Sequence, residues 1–493
     1  MKRLKNIPLP TRPFLITIFF SALVLHGCKD LEVPKDPFPP GTTVDHEVGQ
    51  PSKNDAEFDV SATLEEHLNK YDVDFTTDSL PADLSQPVLV YTNEYVIRWA
   101  DNVSTAYKDS LRKVMDNEYR ISWYPCMCEN MTIELWISQG PIPTNERENA
   151  KGSSGGKVEE FDPNIIFGTE FFKGNQSVLT TLDMASIPLI HSGDPTATKI
   201  AILDTGFDFD NTEYNNLLGG FNLQVSSAEM GGAPDTDDDS NCLPDDMGGW
   251  DFVNDDNRAE DDHSHGTHVA SLLSQEVMAI NSAAKFVILP LKTHNERGNA
   301  SLYTLACALK YAISKSVDFV NGSWGYDGPP AGILERALDD LKDSGAIFVG
   351  SSGNGGIDMA AEPHQPSMRY FEGKNATVSV NADSMTVFKL WEHSNFHSSS
   401  VPVNLSAPGV NQMGFVPAEL LSVAPQLKVK SGTSMSAPIV LGGMVAVHQA
   451  GMSTSSLVPW FVSNCFENWP ATAVSYSMRR YSRTLVIQEL PGI

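Results

Sequence analysis

Short apolar runs alternate with helix-periodic segments along the second half of the chain. From about residue 195, runs such as TKIAIL and AKFVILPL are separated by segments such as SLYTLACALKYAISKS, whose apolar positions recur every three or four residues. This alternation predicts a doubly wound α/β fold with a mainly parallel β-sheet flanked by helices. Sites in such folds collect where strands end. Asp204, Ser323 and Asn354 lie at or just past predicted strand ends.

The pattern before residue 195 changes from segment to segment. PVLVYTNEYVIRW alternates like a strand, STAYKDSLRKVMDN is helix-periodic and MTIELWIS reads as a second strand, so residues 86–139 are predicted to form a small α+β unit of βαβ type. Residues 140–194 begin with proline-, glycine- and serine-rich sequence and are predicted to be a linker. Residues 28–85 are acidic and proline-rich, which predicts a tether without a core. Residues 195–493 are assigned to one domain.

The first 27 residues have the pattern of a targeting segment. A basic start is followed by an apolar run that is short for a membrane span, which is typical of a signal peptide. The run ends in Leu25-His26-Gly27-Cys28, which resembles the bacterial lipobox and implies a lipid on Cys28. An ordinary cleaved signal peptide and a single membrane anchor remain alternatives. We therefore expect an exported protein, anchored by lipid to a bacterial membrane.

Composition excludes some partners. The 493 residues include 34 basic and 62 acidic side chains, a net charge of −28, and no block rich in lysine or arginine. Since nucleic-acid binding depends on clustered basic residues, a nucleic-acid partner is excluded. The hydrophobic content of 41% is ordinary for a globular protein of two or three domains.

The cysteines form no dense framework. If Cys28 carries lipid, five remain: Cys126, Cys128, Cys242, Cys307 and Cys465. Their odd number and irregular spacing exclude a disulfide-rich scaffold but allow one or two bridges. Cys126 and Cys128 could bind a metal, but no histidine lies near them in sequence, and buried or paired cysteines are the alternative.

The tripeptide Asp204-Thr205-Gly206 fits two protease chemistries. An aspartate can share a proton with a second aspartate to activate water, or it can orient a histidine beside a serine. The second tripeptide of this kind, Asp343-Ser344-Gly345, ends an amphipathic helix on its glycine. Because aspartic pairs are presented from β-loops, this position argues against the carboxylate pair.

Three blocks in the order Asp, His, Ser support the second chemistry. They are DTG at 204–206, HGTHVA at 265–270 and GTSMSAP at 432–438. Together they resemble the catalytic blocks of the subtilisin-like serine proteases, over about residues 195–450. The last forty or so residues lack a clear form of the glycine-marked closing strand of that family.

The resemblance implies a role for each matching residue. Ser434 would be the nucleophile, His265 its base and Asp204 the residue that orients His265. Asn354 would donate to the oxyanion together with the backbone N–H of Ser434. The implied function is a secreted serine endopeptidase that needs no cofactor for catalysis. A weakly active or inactive surface-binding lipoprotein of the same fold is the alternative. A lipase is disfavoured, because the serine lies in GTSMS and not in a Gly-x-Ser-x-Gly elbow.

The resemblance also implies how substrate is bound. Ser323, Trp324 and Gly325 match the segment that pairs with an extended polypeptide, although burial of Trp324 at a strand end is the alternative. Glu362 falls near the floor of the primary specificity pocket, where it would favour basic side chains, or it is simply an exposed acid. A monomer acting on polypeptides is expected.

The small unit at 86–139 resembles a propeptide in outline and position. If it is one, the lipid lies on the propeptide side of the chain. Self-cleavage in the linker would then release the catalytic domain from the membrane.

Two further clusters invite metals. His263, His265 and His268 lie close together, but the acidic residue of a zinc helix motif is missing between them, so His268 is expected to be a packed structural histidine. Elsewhere, carboxylates alternate as calcium ligands do, without the glycine and glutamate of an EF-hand, and a solvated acidic loop is the alternative to structural calcium. These carboxylates are Asp235, Asp237 and Asp239.

Overall fold

The order of elements follows the predicted alternation of strands and helices. The computed structural model describes residues 88–127, 132–169, 172–173, 194–209, 228–229, 232–373, 376–384, 389–398, 404–417, 427–469 and 477–489. All of them belong to one unit, Phe38–Ile493. The predicted signal peptide and tether, residues 1–85, lie outside the described residues.

The elements of the described residues are numbered in chain order. The helices are α1 (Thr105–Tyr119), α2 (Thr144–Ser153), α3 (His265–Ile280), α4 (Leu302–Ser314), α5 (Gly332–Asp343), α6 (Met368–Phe371), α7 (Thr433–Gln449), α8 (Thr454–Asn464) and α9 (Arg483–Glu489). The strands are β1 (Val90–Trp99), β2 (Ser122–Pro125), β3 (Ile133–Ile137), β4 (Val158–Gly168), β5 (Phe172–Lys173), β6 (Thr198–Asp204), β7 (Trp250–Asp251), β8 (Phe286–Lys292), β9 (Asn299–Ser301), β10 (Phe319–Gly322), β11 (Tyr326–Asp327), β12 (Ile347–Ser351), β13 (His364–Gln365), β14 (Thr377–Asp383), β15 (Asn404–Pro408), β16 (Gln412–Phe415), β17 (Leu427–Ser431), β18 (Phe466–Asn468) and β19 (Met478–Tyr481).

A nine-stranded sheet forms the centre of the second half of the chain. Its strand order is β18-β19-β15-β14-β12-β10-β6-β8-β7. Neighbouring strands run parallel from β19 to β7, and β18 pairs antiparallel with β19 at one edge. The predicted doubly wound, mainly parallel sheet is therefore confirmed.

Alternate residues of the central strands enter two different cores. Ile200 and Ile202 of β6 belong to a buried cluster with apolar side chains of α3 and α7. Ala201 and Leu203, the intervening residues, belong to a second cluster with side chains of α4 and α5. Successive side chains of a strand point to opposite faces, so helices cover both faces of this sheet. This explains why the central strands read as continuous apolar runs.

The small N-terminal unit, called the first unit below, consists of β1 to β4 with α1 and α2. It does not have the predicted βαβ form, and it extends beyond the predicted residues 86–139. Its strands form an antiparallel sheet of order β2-β3-β1-β4, and β4 also pairs with β9 of the second half. Helix α2 and strand β4 occupy part of the predicted linker 140–194. The linker assignment was wrong here because Pro143 and the glycines at 155 and 156 mark the two ends of a helix.

The first unit packs on α4 and α5 with one face of its sheet. Asp162 of β4 accepts a hydrogen bond from the backbone N–H of Ile333 at the start of α5, at 2.8 Å. Arg98 of β1 forms an ion pair with Asp340 of α5, also at 2.8 Å. Apolar residues of β1, β3 and β4 share the buried cluster of α4 and α5. The contact is therefore a continuous core and not a polar surface.

The C-terminal tail completes the edge of the central sheet. Strand β19 pairs with β15 in parallel, and β18 pairs with β19. Tyr481 at the end of β19 is 4% exposed and donates to Glu276 of α3 at 2.8 Å. The tail thus adds two strands to the central sheet that the sequence did not reveal.

Membrane-crossing helices were sought among the described residues. None of their single helices is long and apolar enough to cross a bilayer, although α7 and α8 pass together by length and composition as a pair bent by 120°.

A buried acid lies within the first unit. Glu94 of β1 is 9% exposed and accepts a hydrogen bond from Asn164 Nδ2 of β4 at 2.8 Å. Burial raises the pKa of Glu94 to about 7, against the lowering effect of Asn164. Because the pKa in the folded state is raised, its contribution to stability is lost as the pH rises toward and past 7.

Changing Glu94→Gln should make stability less dependent on pH. The glutamine keeps an oxygen for Asn164 but does not ionise. At pH 8 the free energy of unfolding of the variant should therefore exceed that of wild type by roughly 2 to 3 kcal/mol. Urea unfolding at pH 5, 6.5 and 8 measures this. As control, Asp343→Asn changes an acid whose side chain is 77% exposed. Its free energy of unfolding should change with pH with the same slope as that of wild type. Equal slopes for wild type and Glu94→Gln would contradict the prediction.

Candidate active site

Asp204 and His265 form a buried hydrogen-bonded pair at the carboxyl edge of the central sheet. Asp204 is the last residue of β6, and His265 is the first residue of α3. The Nδ1 atom of His265 lies 2.7 Å from Asp204 Oδ1 and 2.9 Å from Oδ2. The two residues are 1% and 0% exposed. With the carboxylate accepting the Nδ1 proton, Nε2 is the ring nitrogen that can take up a proton.

Asp343 lies in different surroundings. It is the last residue of α5, its side chain is 77% exposed, and its nearest charged partner is Lys342 at 3.9 Å. Gly345 follows with a φ of +93°, as expected of a glycine that ends a helix. The rejected carboxylate-pair alternative therefore has no structural support.

Ser434 lies at the start of α7, close to the start of α3. It is the second residue of α7 and is 2% exposed. Its Oγ donates to the backbone oxygen of Ser323 at 3.1 Å, and Ser323 Oγ donates to the backbone oxygen of Ser434 at 2.9 Å. Four residues before Ser434, Lys430 Nζ donates to the backbone oxygen of Ser264 at 2.8 Å. This hydrogen bond joins β17, the strand that precedes α7, to Ser264, the residue that precedes His265 and α3.

Asn354 lies beside Ser434 with a fixed amide orientation. It follows β12, is 2% exposed and lines the same cavity as Ser434. Its Oδ1 accepts hydrogen bonds from the backbone N–H of Thr433 at 2.9 Å and from Thr433 Oγ1 at 3.0 Å. Because the oxygen is held there, the Nδ2 donor is the part of the amide that turns away from Thr433. The structure thus brings the predicted Asn354 and Ser434 together.

The chain's own residues 166–168 lie in the groove between β9 and Gly325, which is called the cleft below. Gly168 and Gly325 exchange backbone hydrogen bonds of 3.1 and 3.2 Å, and the same stretch pairs with β9 on its other side. Phe167 is fully buried, with its ring edge-on to Trp324 at 5.6 Å and to Tyr326 at 4.8 Å. The ring of Trp324 is therefore part of the core, whereas Gly325 offers its backbone to an extended chain.

The described residues that follow Gly168 pair with Gly298 and with β17. Thr169 donates its backbone N–H to Gly298 at 2.9 Å. Three residues later, β5 pairs antiparallel with β17, with Phe172 opposite Ser431 and Lys173 opposite Lys430. Since β17 leads directly into the start of α7, β5 lies next to the strand that precedes Ser434.

The profile of the Subtilase family matches residues 196–458, just over half of the chain, which include Asp204, His265, Asn354 and Ser434. The chain belongs to the subtilase family. This subtilase is 28% identical over 284 residues to Subtilisin-like protease 1 of Plasmodium berghei, covering 53% of this chain and 45% of that protein. It is 25% identical over 309 residues to an Alkaline protease of Alkalihalobacillus alcalophilus, covering 60% and 67%. The chain spans about half the length of the Plasmodium relatives that it matches.

A solved structure supports the same fold. Fervidolysin from Fervidobacterium pennivorans, described as a keratinolytic enzyme related to subtilisin, aligns with a TM-score of 0.56 and 16% sequence identity. The alignment covers 82% of this chain and 62% of that chain. At this identity the likeness concerns the fold alone.

An acidic side chain that sequence reasoning missed lines the cavity of this subtilase. The cavity beside Ser434 has a volume of about 50 Å³, and Asp327 and His364 form part of its wall. Asp327 is exposed at this wall, yet loss of water around its carboxyl group, with a smaller effect of the nearby Glu362, raises its pKa to about 6. Glu362 is half-buried and is not among the residues that line the cavity. Asp327 had no motif to mark it.

Two of the three histidines near the start of α3, His265 and His268, have separate partners. His265 is hydrogen-bonded to Asp204. The fully buried His268 places its Nε2 3.1 Å from the backbone oxygen of Lys428. Burial and the charge of Lys430 lower the pKa of His268 well below its usual range, and similar causes lower that of His263 to about 3. In the described residues, the potential metal-ligand group contains no histidine. His268 is a packed neutral side chain, as expected.

The acidic loop brings together two of the three predicted carboxylates and one that was missed. Oxygens of Glu229, Asp237 and Asp239 lie within 4.8 Å of one another. Asp235 is not part of this group. Asp237 accepts backbone hydrogen bonds from its own loop, and Asp239 forms an ion pair of 2.6 Å with Lys315, which directly follows α4.

One disulfide joins the first unit to the catalytic half of this subtilase. Cys126, just after β2, is bonded to Cys307 of α4, with their Cα atoms 5.6 Å apart and a sequence separation of 181. Cys242 is also disulfide-bonded, and Cys465 is a free, buried thiol. The metal alternative for Cys126 and Cys128 is wrong for Cys126, because a disulfide sulfur is not a thiolate ligand. Cys28 and Cys128 lie outside the described residues.

Proposed function

We propose that this subtilase is a serine endopeptidase that acts through an acyl-enzyme intermediate. The observation that carries the proposal is the buried Asp204–His265 pair beside the helix start that bears Ser434. In the proposed reaction, His265 Nε2 removes the Ser434 proton as Oγ attacks the carbonyl carbon, and then protonates the leaving amine. Asp204 keeps the other ring proton on Nδ1 and stabilises the imidazolium. Water, activated by the same nitrogen, then hydrolyses the ester.

The proposed oxyanion hole consists of Asn354 Nδ2 and the backbone N–H of Ser434. Support comes from the hydrogen bonds of Thr433, which hold Asn354 Oδ1 away and so orient the donor end. The positive end of α7 adds a favourable potential at the same place. Loss of one such donor costs about 3 to 4 kcal/mol of transition-state stabilisation.

Polypeptides are the proposed substrates. The support is the extended run 166–168, which already lies between β9 and Gly325 as a peptide substrate would. In this proposal Ser323, Trp324 and Gly325 line the cleft. Asp327 in the cavity wall, with Glu362 nearby, favours a basic side chain, and the attraction grows as Asp327 ionises above pH 6.

We further propose that the enzyme cleaves its own chain between Thr169 and Phe172. The support is that Gly168, before this interval, lines the cavity beside Ser434, and that β5, after it, pairs with β17, which leads into α7. The interval is shorter than the 140–194 linker expected from sequence. Cleavage there would not by itself release the catalytic domain, because the disulfide Cys126–Cys307 still joins the two pieces. The release expected from sequence would need reduction as well.

Export, the lipid on Cys28 and a monomeric state remain proposals from the sequence. The alternative function, an inactive surface-binding lipoprotein, also remains. Its distinguishing feature is the absence of serine-dependent peptidase activity.

We propose structural calcium at Glu229, Asp237 and Asp239. The ligand set consists only of oxygens, which suits a hard cation, and Asp239 Oδ1 is buried without a hydrogen-bond partner. Lys315 offsets part of the charge of Asp239. The ion would take no part in the reaction.

Asp204→Asn should lower kcat on casein by about 10⁴-fold while the fold is retained, because the amide favours the wrong tautomer of His265. Casein and a short-chain ester are tested with and without a serine-directed phosphonate. Asp343→Asn, in the other tripeptide of this kind, is the matched control and should keep wild-type turnover. Casein cleavage that survives the phosphonate, or full activity in Asp204→Asn, would refute the proposed mechanism, and no cleavage by wild type would favour the binding lipoprotein.

Self-cleavage and retention can be read from gels with and without reductant. Wild type should give two fragments in the reducing gel and one band in the non-reducing gel, whereas Ser434→Ala should give one band in both. The double variant Cys242→Ser/Cys307→Ser, which lacks both catalytic-side disulfides, should give two fragments without reductant. Two wild-type fragments in the non-reducing gel would overturn the proposal that a disulfide keeps the two pieces joined. Identical patterns for wild type and Ser434→Ala would overturn the proposed self-cleavage.

Calcium should raise the melting temperature of the purified protein relative to a sample treated with EDTA. About 1 mM calcium is a suitable concentration for an extracellular site. Asp237→Asn should abolish the difference, because the ion loses a charged ligand, while Asp343→Asn should retain it. Equal melting temperatures for wild type in the two solutions would eliminate the site.

A further inference from the structure

A third buried carboxylate lies between the two elements that carry Asp204 and His265. Asp261 is 7% exposed and accepts five hydrogen bonds. Its Oδ1 accepts from Thr205 Oγ1 at 2.7 Å and from the backbone N–H groups of His263 and Ser264 at 3.0 and 2.7 Å. Its Oδ2 accepts from the backbone N–H and the hydroxyl of Thr267 at 2.9 and 2.6 Å. Both oxygens are thus held by protein donors on two different elements.

These donors flank the proposed catalytic residues. Thr205 follows Asp204 directly, while Ser264 and Thr267 lie on either side of His265. The hydroxyl of Thr205 also accepts the backbone N–H of Gly266 at 2.9 Å. One carboxylate therefore links the end of β6 to the first turn of α3, across a sequence separation of 56 residues.

The charge of Asp261 is retained in this buried position. Burial alone would raise its pKa, but hydrogen bonds from Thr267 and Thr205, and the charge of Lys292, outweigh burial and hold the pKa below its usual value. Lys292 donates from Nζ to the backbone oxygens of Thr205 and Glu260 at 3.1 and 2.9 Å. The ammonium group thus strengthens the same junction.

The start of α3 needs such restraint. Ser264, which precedes His265, has a φ of +85°, a left-handed conformation that is unfavourable for a non-glycine residue. Asp261 holds its N–H, and Lys430 Nζ donates to its backbone oxygen and hydroxyl at 2.8 and 3.0 Å. A strained residue persists only where its neighbours determine its conformation.

We propose that Asp261 is a positioning residue that sets the geometry of the Asp204–His265 pair by fixing both elements to one carboxylate. This inference rests on the proposed function but does not make Asp261 a participant in the reaction. Its hydrogen bonds go to neighbours of the pair and not to the reacting atoms.

Asp261→Asn tests the proposal. An amide presents an NH₂ group to donors on one side whichever way it is flipped, so it cannot accept all five hydrogen bonds. Because small displacements of catalytic groups are costly, kcat on a peptide substrate should fall by about 10- to 100-fold with KM changed less than about twofold. The low-field proton resonance of His265 Nδ1–H should shift or broaden, since it reports the hydrogen bond to Asp204.

Glu276→Gln is the matched control. Glu276 is a buried carboxylate on the same helix, and it accepts from Tyr481 Oη at 2.8 Å and Arg483 Nε at 2.9 Å at the far end from His265. This variant should lower the melting temperature but leave kcat and the low-field resonance as in wild type. It separates loss of a buried acid in general from loss of the positioning carboxylate.

A second pair of variants guards against misfolding of Asp261→Asn. Thr205→Val removes the hydroxyl that joins Asp261 to Gly266 and should reproduce the loss of kcat, and Thr205→Ser should restore most of it. If Asp261→Asn keeps kcat within twofold and an unchanged resonance while losing stability like Glu276→Gln, the positioning role is overturned. If wild type has no serine-dependent activity, the proposed function fails, whereas the resonance still decides whether Asp261 positions the pair.

Discussion

The buried hydrogen bond between His265 and Asp204 is the contact on which the site depends. It requires a strand end and a helix start to meet where water is excluded, and a parallel sheet covered on both faces provides such a meeting point at its carboxyl edge. β6 ends at Asp204 between β10 and β8, while α3 begins at His265. The start of α7 is joined to the same place through Lys430 and Ser264. The buried core on one face of the sheet contains side chains of β6, α3 and α7 and holds these three elements together.

The first unit uses the same cleft from the other side. Its sheet packs on α4 and α5, and β4 extends from that sheet into the groove between β9 and Gly325. The aromatic contacts of Phe167 with Trp324 and Tyr326 fix the depth of this strand. A single continuous chain therefore supplies both the groove and its occupant, and the disulfide Cys126–Cys307 ties them covalently.

Sequence reasoning succeeded where chemistry is concentrated in short motifs and failed where it depends on distant partners. Asp204, His265, Asn354 and Ser434 were each marked by a motif or a strand end; Asp204 is hydrogen-bonded to His265, and Asn354 lines the same cavity as Ser434. Asp261 had no such mark, because its importance comes from hydrogen-bond donors just after β6 and in the first turn of α3. Only the folded chain brings these donors together. The linker assignment failed because proline and glycine mark helix ends as readily as loops. The tail's strand pairing was missed because edge strands are short and carry little pattern of their own.

The amino-acid pattern alone determined the fold class and the order of the three blocks, since apolar periodicity reports which faces are buried and residue type limits the chemistry. Tertiary structure decided which acids are paired, which cysteines are bonded and what fills the cleft. Asp239 reaches Lys315 across 76 residues, and Gly168 reaches Gly325 from a different sheet. Such contacts depend on distances in space that local sequence does not encode, because burial and hydrogen bonding are properties of the assembled layers.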